Sequence, residues 1–153
     1  MKFQISLITT LTALFFCLTS ALARDIRTVE VMFDTGASSS SISDRIQGYQ
    51  SVQYTLRARA KQYMRVKLQP ESPHIAYFNI FTPSTLPGHD EAMYIGSIHG
   101  QQFEGELPED GVYLIQVYQM RSAARRNSVA EYTLEITITD SKPSPTDLQT
   151  QPD

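Results

Sequence analysis

The most conspicuous chemical motif in the 153-residue chain is Val31-Met32-Phe33-Asp34-Thr35-Gly36-Ala37-Ser38. An apolar run into Asp-Thr-Gly matches the active-site signature of aspartic proteases. That chemistry needs two carboxylates close enough to share a proton, because neighbouring like charges push their pKa values apart. A chain with one such triplet would have to dimerise. It would also need an apolar-apolar-Gly element to support the active-site loop, and Tyr94-Ile95-Gly96 is a poor match. The bland reading is a strand that ends in a polar glycine turn.

The other candidates are weaker or of another kind. His74, His89 and His99 lack the i, i+2 or i, i+4 spacing of ligand pairs on strands or helices, so no metal or other cofactor is expected. A Ser-His-Asp triad is assembled by folding and leaves no fixed spacing, but no nucleophile-elbow sequence accompanies one here. Arg121, Arg125 and Arg126 stand out differently, in the acid-free stretch Tyr118-Gln119-Met120-Arg121-Ser122-Ala123-Ala124-Arg125-Arg126-Asn127. A helical turn would put Arg121 and Arg125 on one side, at i and i+4, and send Arg126 elsewhere. Like charges so placed repel unless an anionic partner meets them. A solvated basic loop is the plain alternative.

The elements around these residues read as strands. Met64, Val66 and Leu68 alternate with Arg65 and Lys67, and Tyr132, Leu134, Ile136 and Ile138 alternate with Thr133, Glu135, Thr137 and Thr139. That period of two marks half-buried strands. Residues 28–33, 54–58, 75–81, 93–98, 102–107 and 111–119 are the other candidates. Gly48, Pro70 with Pro73, Pro87-Gly88, His99-Gly100 and Pro108 to Gly111 punctuate them as turns. No segment carries a sustained helical stripe. The expected fold is all-β: a single-domain antiparallel β-sandwich of about eight strands. If strands 111–119 and 130–139 pair as a hairpin, the arginine segment is a connection of about ten residues, longer than hairpins usually need.

The chain ends have their own logic. Lys2, the apolar run 5–18 and the small-x-small triplet Ala21-Leu22-Ala23 form a cleavable export signal, residues 1–23. The apolar run is shorter than a bilayer span, so no membrane association is expected after cleavage. Cys17, the one cysteine, lies within this signal and follows Phe15-Phe16, which does not suit lipidation. Residues 24–140 form the expected domain. Residues 141–153, rich in Pro, Ser, Thr and Gln, are expected to be a disordered tail.

Without residues 1–23 the chain keeps 12 basic and 16 acidic side chains, a net charge of −4, which argues against nucleic acid as a partner. The charges are also segregated: residues 45–67 carry six bases and no acid, and residues 90–110 carry six acids and no Lys or Arg. Opposite solvated faces would account for that.

Several of these elements occur together in one family. They are Gly36-Ala37-Ser38-Ser39, Ile46-Gln47-Gly48-Tyr49, Tyr54 with Ala58 and Ala60, Leu107-Pro108 with Gly111 and Tyr113, the segment from Met120 to Asn127, and Tyr132-Thr133-Leu134. Over residues 28–138 the sequence resembles the periplasmic inhibitors of g-type lysozyme. Residues 69–99 match least, and the tail has no counterpart. The Leu-Pro-x-x-Gly-x-Tyr element also occurs in unrelated exported β-modules.

The resemblance implies a non-enzymatic protein with a protein partner, g-type lysozyme, and loops that plug its cleft. By position in the motif, Arg121 and Arg125 would approach the catalytic acid, Tyr49 would make a neighbouring contact, and Ser122 and Arg126 would belong to the same surface. A monomer located in the periplasm is expected. The competing reading from another class is an exported β-module that binds carbohydrate or accompanies an envelope enzyme. The absence of Trp and the placement of many Tyr residues within strands count modestly against it.

Overall fold

The computed structural model describes residues 25–72 and 76–142. The export signal (residues 1–23), His74 and residues 143–153 of the tail lie outside the described residues.

Two sheets face each other. The first has the order β1 (Ile26–Glu30), β3 (Ser51–Ala58), β8 (Gly111–Gln119), β5 (Ala76–Phe81), β6 (Tyr94–Ile95). The second has the order β2 (Ser39–Gln47), β9 (Val129–Thr139), β4 (Tyr63–Pro70), β7 (Gln102–Glu106). Short helical turns α1 (Gly96–His99) and α2 (Arg121–Arg125) lie in the connections. The alternation seen in the sequence supplies the core. Tyr54 and Leu56 of β3, Tyr113, Ile115 and Val117 of β8, and Phe78 and Ile80 of β5 are buried. Against them pack Met64, Val66 and Leu68 of β4 with Tyr132, Leu134 and Ile136 of β9. Packing the inner faces of two pleated sheets leaves every second residue outward, which is why the period-2 stretches were legible.

The all-β sandwich is therefore observed, with four differences from the expected layout. The nine strands among the described residues are close to the expected eight, but β1 runs parallel to β3. Strand β2 lies where Ser39, Ser40, Ser41 and Ser43 gave little apolar signal; its inward positions are Ile42, Asp44 and Ile46, held by a nine-residue register with β9. The expected strand 93–98 is two residues of β6 followed by α1. Finally, β8 and β9 do not form a hairpin. β8 pairs with β3 and β5, while β9 pairs with β2 and β4, so the arginine segment crosses from one sheet to the other. A crossing between layers needs more residues than a hairpin turn, which accounts for its length.

A polar chain joins the sheets at the β1–β2 side. Arg27 Nη2 donates to both carboxylate oxygens of Asp44, at 2.9 and 2.8 Å. Tyr54 Oη donates to Asp44 Oδ2 at 2.7 Å and lies 2.8 Å from Tyr132 Oη. Since the Tyr54 proton goes to Asp44, Tyr132 is the donor in the second bond. Partial burial pushes the Asp44 carboxyl up, but hydrogen bonds from Arg27, Tyr54 and the Arg45 backbone N–H, with the Arg27 charge, outweigh it and leave the group below its ordinary 3.8. Burial raises both phenols, Tyr132 to about 12.

The Leu-Pro-x-x-Gly-x-Tyr element is a corner built into this fold. Tyr113 Oη donates to the Glu109 carbonyl at 2.8 Å and accepts the Glu109 N–H at 3.2 Å. Asp110 Oδ1 accepts the Ala60 N–H at 2.8 Å. Gly111 has φ +143°, and a Cβ there would stand 2.7 Å from Pro83 Cβ. The element is thus explained by architecture, in the manner of the tyrosine corners of other sandwiches.

Candidate functional site

The arginine turn is shaped by its two alanines. Ala123 and Ala124 are buried, while Arg121, Ser122 and Arg125 face solvent. Burying two small side chains lets a single helical turn sit close on the end of the sandwich. Met120 is extended (φ −62°, ψ 147°), and its carbonyl accepts the N–H groups of Ala123 and Ala124. The turn closes with Asn127 in the left-handed region at φ 55°. Asn127 N–H donates to Ala124 O at 2.9 Å and Ser128 N–H to Ala123 O at 3.2 Å. That is a Schellman cap, with Asn in the place glycine commonly fills.

The β2–β3 turn packs against this cap. Gly48 N–H donates to Ser128 O at 3.0 Å, and Gln119 Nε2 donates to Ser128 O at 2.8 Å and to Ile46 O at 3.3 Å. Gly48 has φ +58°, and a Cβ there would stand 2.7 Å from Asn127 Oδ1. The Ile-x-Gly-Tyr element and the arginine element are therefore two halves of one structure. Gly48→Ala is expected to cost about 1–2 kcal/mol through its left-handed backbone, since the Asn127 side chain can swing aside. Chemical denaturation of the variant checks this; an unchanged midpoint would mean that the turn relaxes freely.

Between the two halves lies an open groove of about 660 Å³. Tyr49, Arg121, Ser122 and Arg125 line it, with Met120 and the β2–β3 turn beside them and the outer face of β5 and β8 as its floor. Four of the five residues expected at the site are thus brought together. Arg126 is exposed but does not line the groove, which fits its place on the other side of the turn. No acid among the described residues lines the groove. The four ion pairs among the described residues are Arg27–Asp44, Arg59–Asp140, Lys61–Glu106 and Arg65–Glu104, so within that set Arg121 and Arg125 have no carboxylate partner. Such a pair of guanidinium groups, with Tyr49 39 % exposed at the lip, suits recognition of a carboxylate presented by another molecule.

The competing motifs are placed elsewhere. Asp34 and Gly36 lie in an exposed turn after β1, with Ala37 N–H donating to Asp34 O at 2.9 Å. Because β1 runs parallel to β3, that turn leaves the sandwich at the end opposite α2. An exposed turn carboxylate lacks the enclosed neighbour that a proton-sharing pair requires. His89 and His99 are exposed, and His99 Nδ1 lies 3.1 Å from the Ile95 carbonyl within its own turn. No cluster of His, Cys, Asp and Glu suited to a metal occurs among the described residues.

Three residues of this region carried no signal in the sequence: Gln119 as a brace, and Asn79 and Gln116 in the groove floor. The last two could have been flagged as amides at outward positions of otherwise apolar strands.

Comparison with known proteins bears on what this surface serves. No family model matches the chain. A curated Escherichia coli (strain K12) protein, the inhibitor of g-type lysozyme, is 32 % identical over 114 residues, which are 73 % of this chain and 81 % of that one. The chain belongs to the family of g-type lysozyme inhibitors.

Its fold agrees with solved members of that family. The crystal structure of Aeromonas hydrophila PliG, a periplasmic inhibitor of g-type lysozyme, superposes with a TM-score of 0.70 at 42 % identity, over 75 % of this chain and 98 % of the other. Salmonella Typhimurium PliG gives a TM-score of 0.56 at 29 % identity, over 74 % and 98 %. These relatives are named for inhibition and not for a reaction.

Proposed function

We propose that the chain is a periplasmic, monomeric inhibitor of g-type lysozyme that plugs the enzyme's cleft with α2. The observation that carries this is the placement of Arg121 and Arg125, one helical turn apart, beside Tyr49 in a groove that no acid among the described residues lines. A muramidase cleft is built around carboxylates. Arginine keeps its charge when desolvated and offers a fork of donors to a carboxylate, so it can occupy such a cleft without undergoing chemistry. Ser122 and Tyr49 supply neighbouring contacts, and Arg126 sits at the rim. Export rests on the N-terminal signal in the sequence together with the periplasmic description of the relatives.

The test is a muramidase assay with g-, c- and i-type lysozymes, with and without the purified protein. Inhibition is expected for the g-type enzyme alone. Equal inhibition of the c-type enzyme, or none at micromolar protein, would overturn the reading.

A further inference from the structure

The groove does not end at the arginines. Its floor is Asn79, Gln116 and Tyr118 on the outer face of the first sheet, where the register sets Gln116 beside Asn79 and Tyr118 beside Tyr77, which borders the groove without lining it. The burial alternation of β5 and β8 turns all four side chains away from the core. The tyrosine rings lie 6.3 Å apart, tilted by 35°. Tyr118 Oη donates to Asn79 Oδ1 at 3.3 Å. Both N–H groups of the Asn79 amide and the whole Gln116 amide are left without a side-chain partner among the described residues.

We infer that this floor is a second part of the docking surface, which receives a neutral polar segment at the lip of the lysozyme cleft while α2 enters the cleft itself. This rests on the inhibitor reading above. Three observations carry it. The floor and the arginines line one continuous groove, so a body that engages α2 passes over the floor. Its composition of Tyr, Asn and Gln beside Arg and Ser is that of a binding face: rigid aromatic area ordered at small entropic cost, and adaptable amides. And it carries no charge, so it complements backbone N–H and C=O groups and not a second carboxylate. The amides can accept and donate at once, as an approaching loop requires. The floor then ranks as a specificity determinant beside an electrostatic anchor, with Tyr118 of a residue type that often dominates such interfaces.

The experiment compares inhibition constants for Tyr118→Ala, Asn79→Ala and the double variant Asn79→Ala/Gln116→Ala with those of Arg125→Ala and of Arg57→Ala, which lies at the far end of β3. Melting curves serve as folding controls, and Tyr118→Phe is a second variant that keeps the ring. Each floor truncation is expected to weaken inhibition by about tenfold or more, with Tyr118→Phe milder and Arg57→Ala without effect. Unchanged inhibition by the folded floor variants, with Arg125→Ala impaired, would overturn the floor inference and leave the inhibitor reading standing. Wild-type protein without effect on the enzyme would instead remove that reading. In parallel, chitooligosaccharide is titrated into the isolated protein. Binding that the floor variants abolish while inhibition stays intact would assign the face to saccharide and overturn the inference.

Discussion

Arg121→Ala and Arg125→Ala should each weaken inhibition of g-type lysozyme by about thirty-fold to several thousand-fold, equivalent to about 2–5 kcal/mol. The argument is one of desolvation. If either guanidinium meets a carboxylate in a cleft from which water is excluded, truncation leaves that acid buried and unpaired, and most of the loss is its unrelieved desolvation. Arg126 is the internal control. It is exposed and outside the groove, so Arg126→Ala should cost under ~1 kcal/mol, as rim charges do. None of the three changes should move the melting curve appreciably, because all three side chains are exposed and pair with no acid among the described residues. Titration against the enzyme, with melting curves beside it, decides the matter. Full inhibition by folded Arg121→Ala and Arg125→Ala would move the binding surface away from α2.

The second large effect is on stability. Asp44→Ala is expected to destabilise the domain by about 2–3 kcal/mol, the range for losing hydrogen bonds to a charged acceptor while a buried donor goes unmet. Tyr54 is fully buried and gives its proton to Asp44, and Tyr132 in turn donates to Tyr54, so removing the carboxylate unsettles both phenols at once. Arg27 is half exposed and can turn to water, which limits the loss. The pair Arg59–Asp140 is the contrast: Asp140 is 82 % exposed, and Asp140→Ala should leave the melting curve where it is.

The pH dependence follows from the direction of the Asp44 shift. Its carboxyl lies below 3.8 in the folded state, so its contribution is fully present above the unfolded value and is lost as pH falls through the folded one. The melting temperatures of wild type and Asp44→Asn should therefore differ most near about pH 7 and converge as pH falls well below 3.8. A constant difference across that range would show that Asp44 acts by packing alone.

The two halves of the proposed docking surface were not equally legible. The arginine segment could be singled out because its features are local: three cations, no acid, i and i+4 spacing, and a length beyond a hairpin's need. Its partner Tyr49 stands some seventy residues earlier and entered only through the family resemblance. Nothing in Ile46-Gln47-Gly48-Tyr49 announces that Gly48 must leave room for Asn127. The floor went unnoticed because placement of tyrosines within strands counted against an aromatic binding face, whereas the pleat turns Tyr118 outward and Tyr54, Tyr113 and Tyr132 inward.

By itself, then, the sequence determined the class of the fold and most of its strands. Alternation such as Met64-Arg65-Val66-Lys67-Leu68 is a local pattern, and burying one face of a pleated strand demands it. Tertiary structure alone decided the Ser-rich β2, whose strand state comes from backbone pairing with β9, and the parallel entry of β1. It alone decided that β8 and β9 belong to different sheets, which turned an expected hairpin loop into a crossing that carries α2 over the groove. Backbone N–H and C=O groups are the same at every residue, so the choice of neighbouring strand is not written in any one segment. It is set by which inner faces fill the core together, and that choice brought Tyr49, Arg121, Arg125 and the amides of Asn79 and Gln116 to one end of the sandwich.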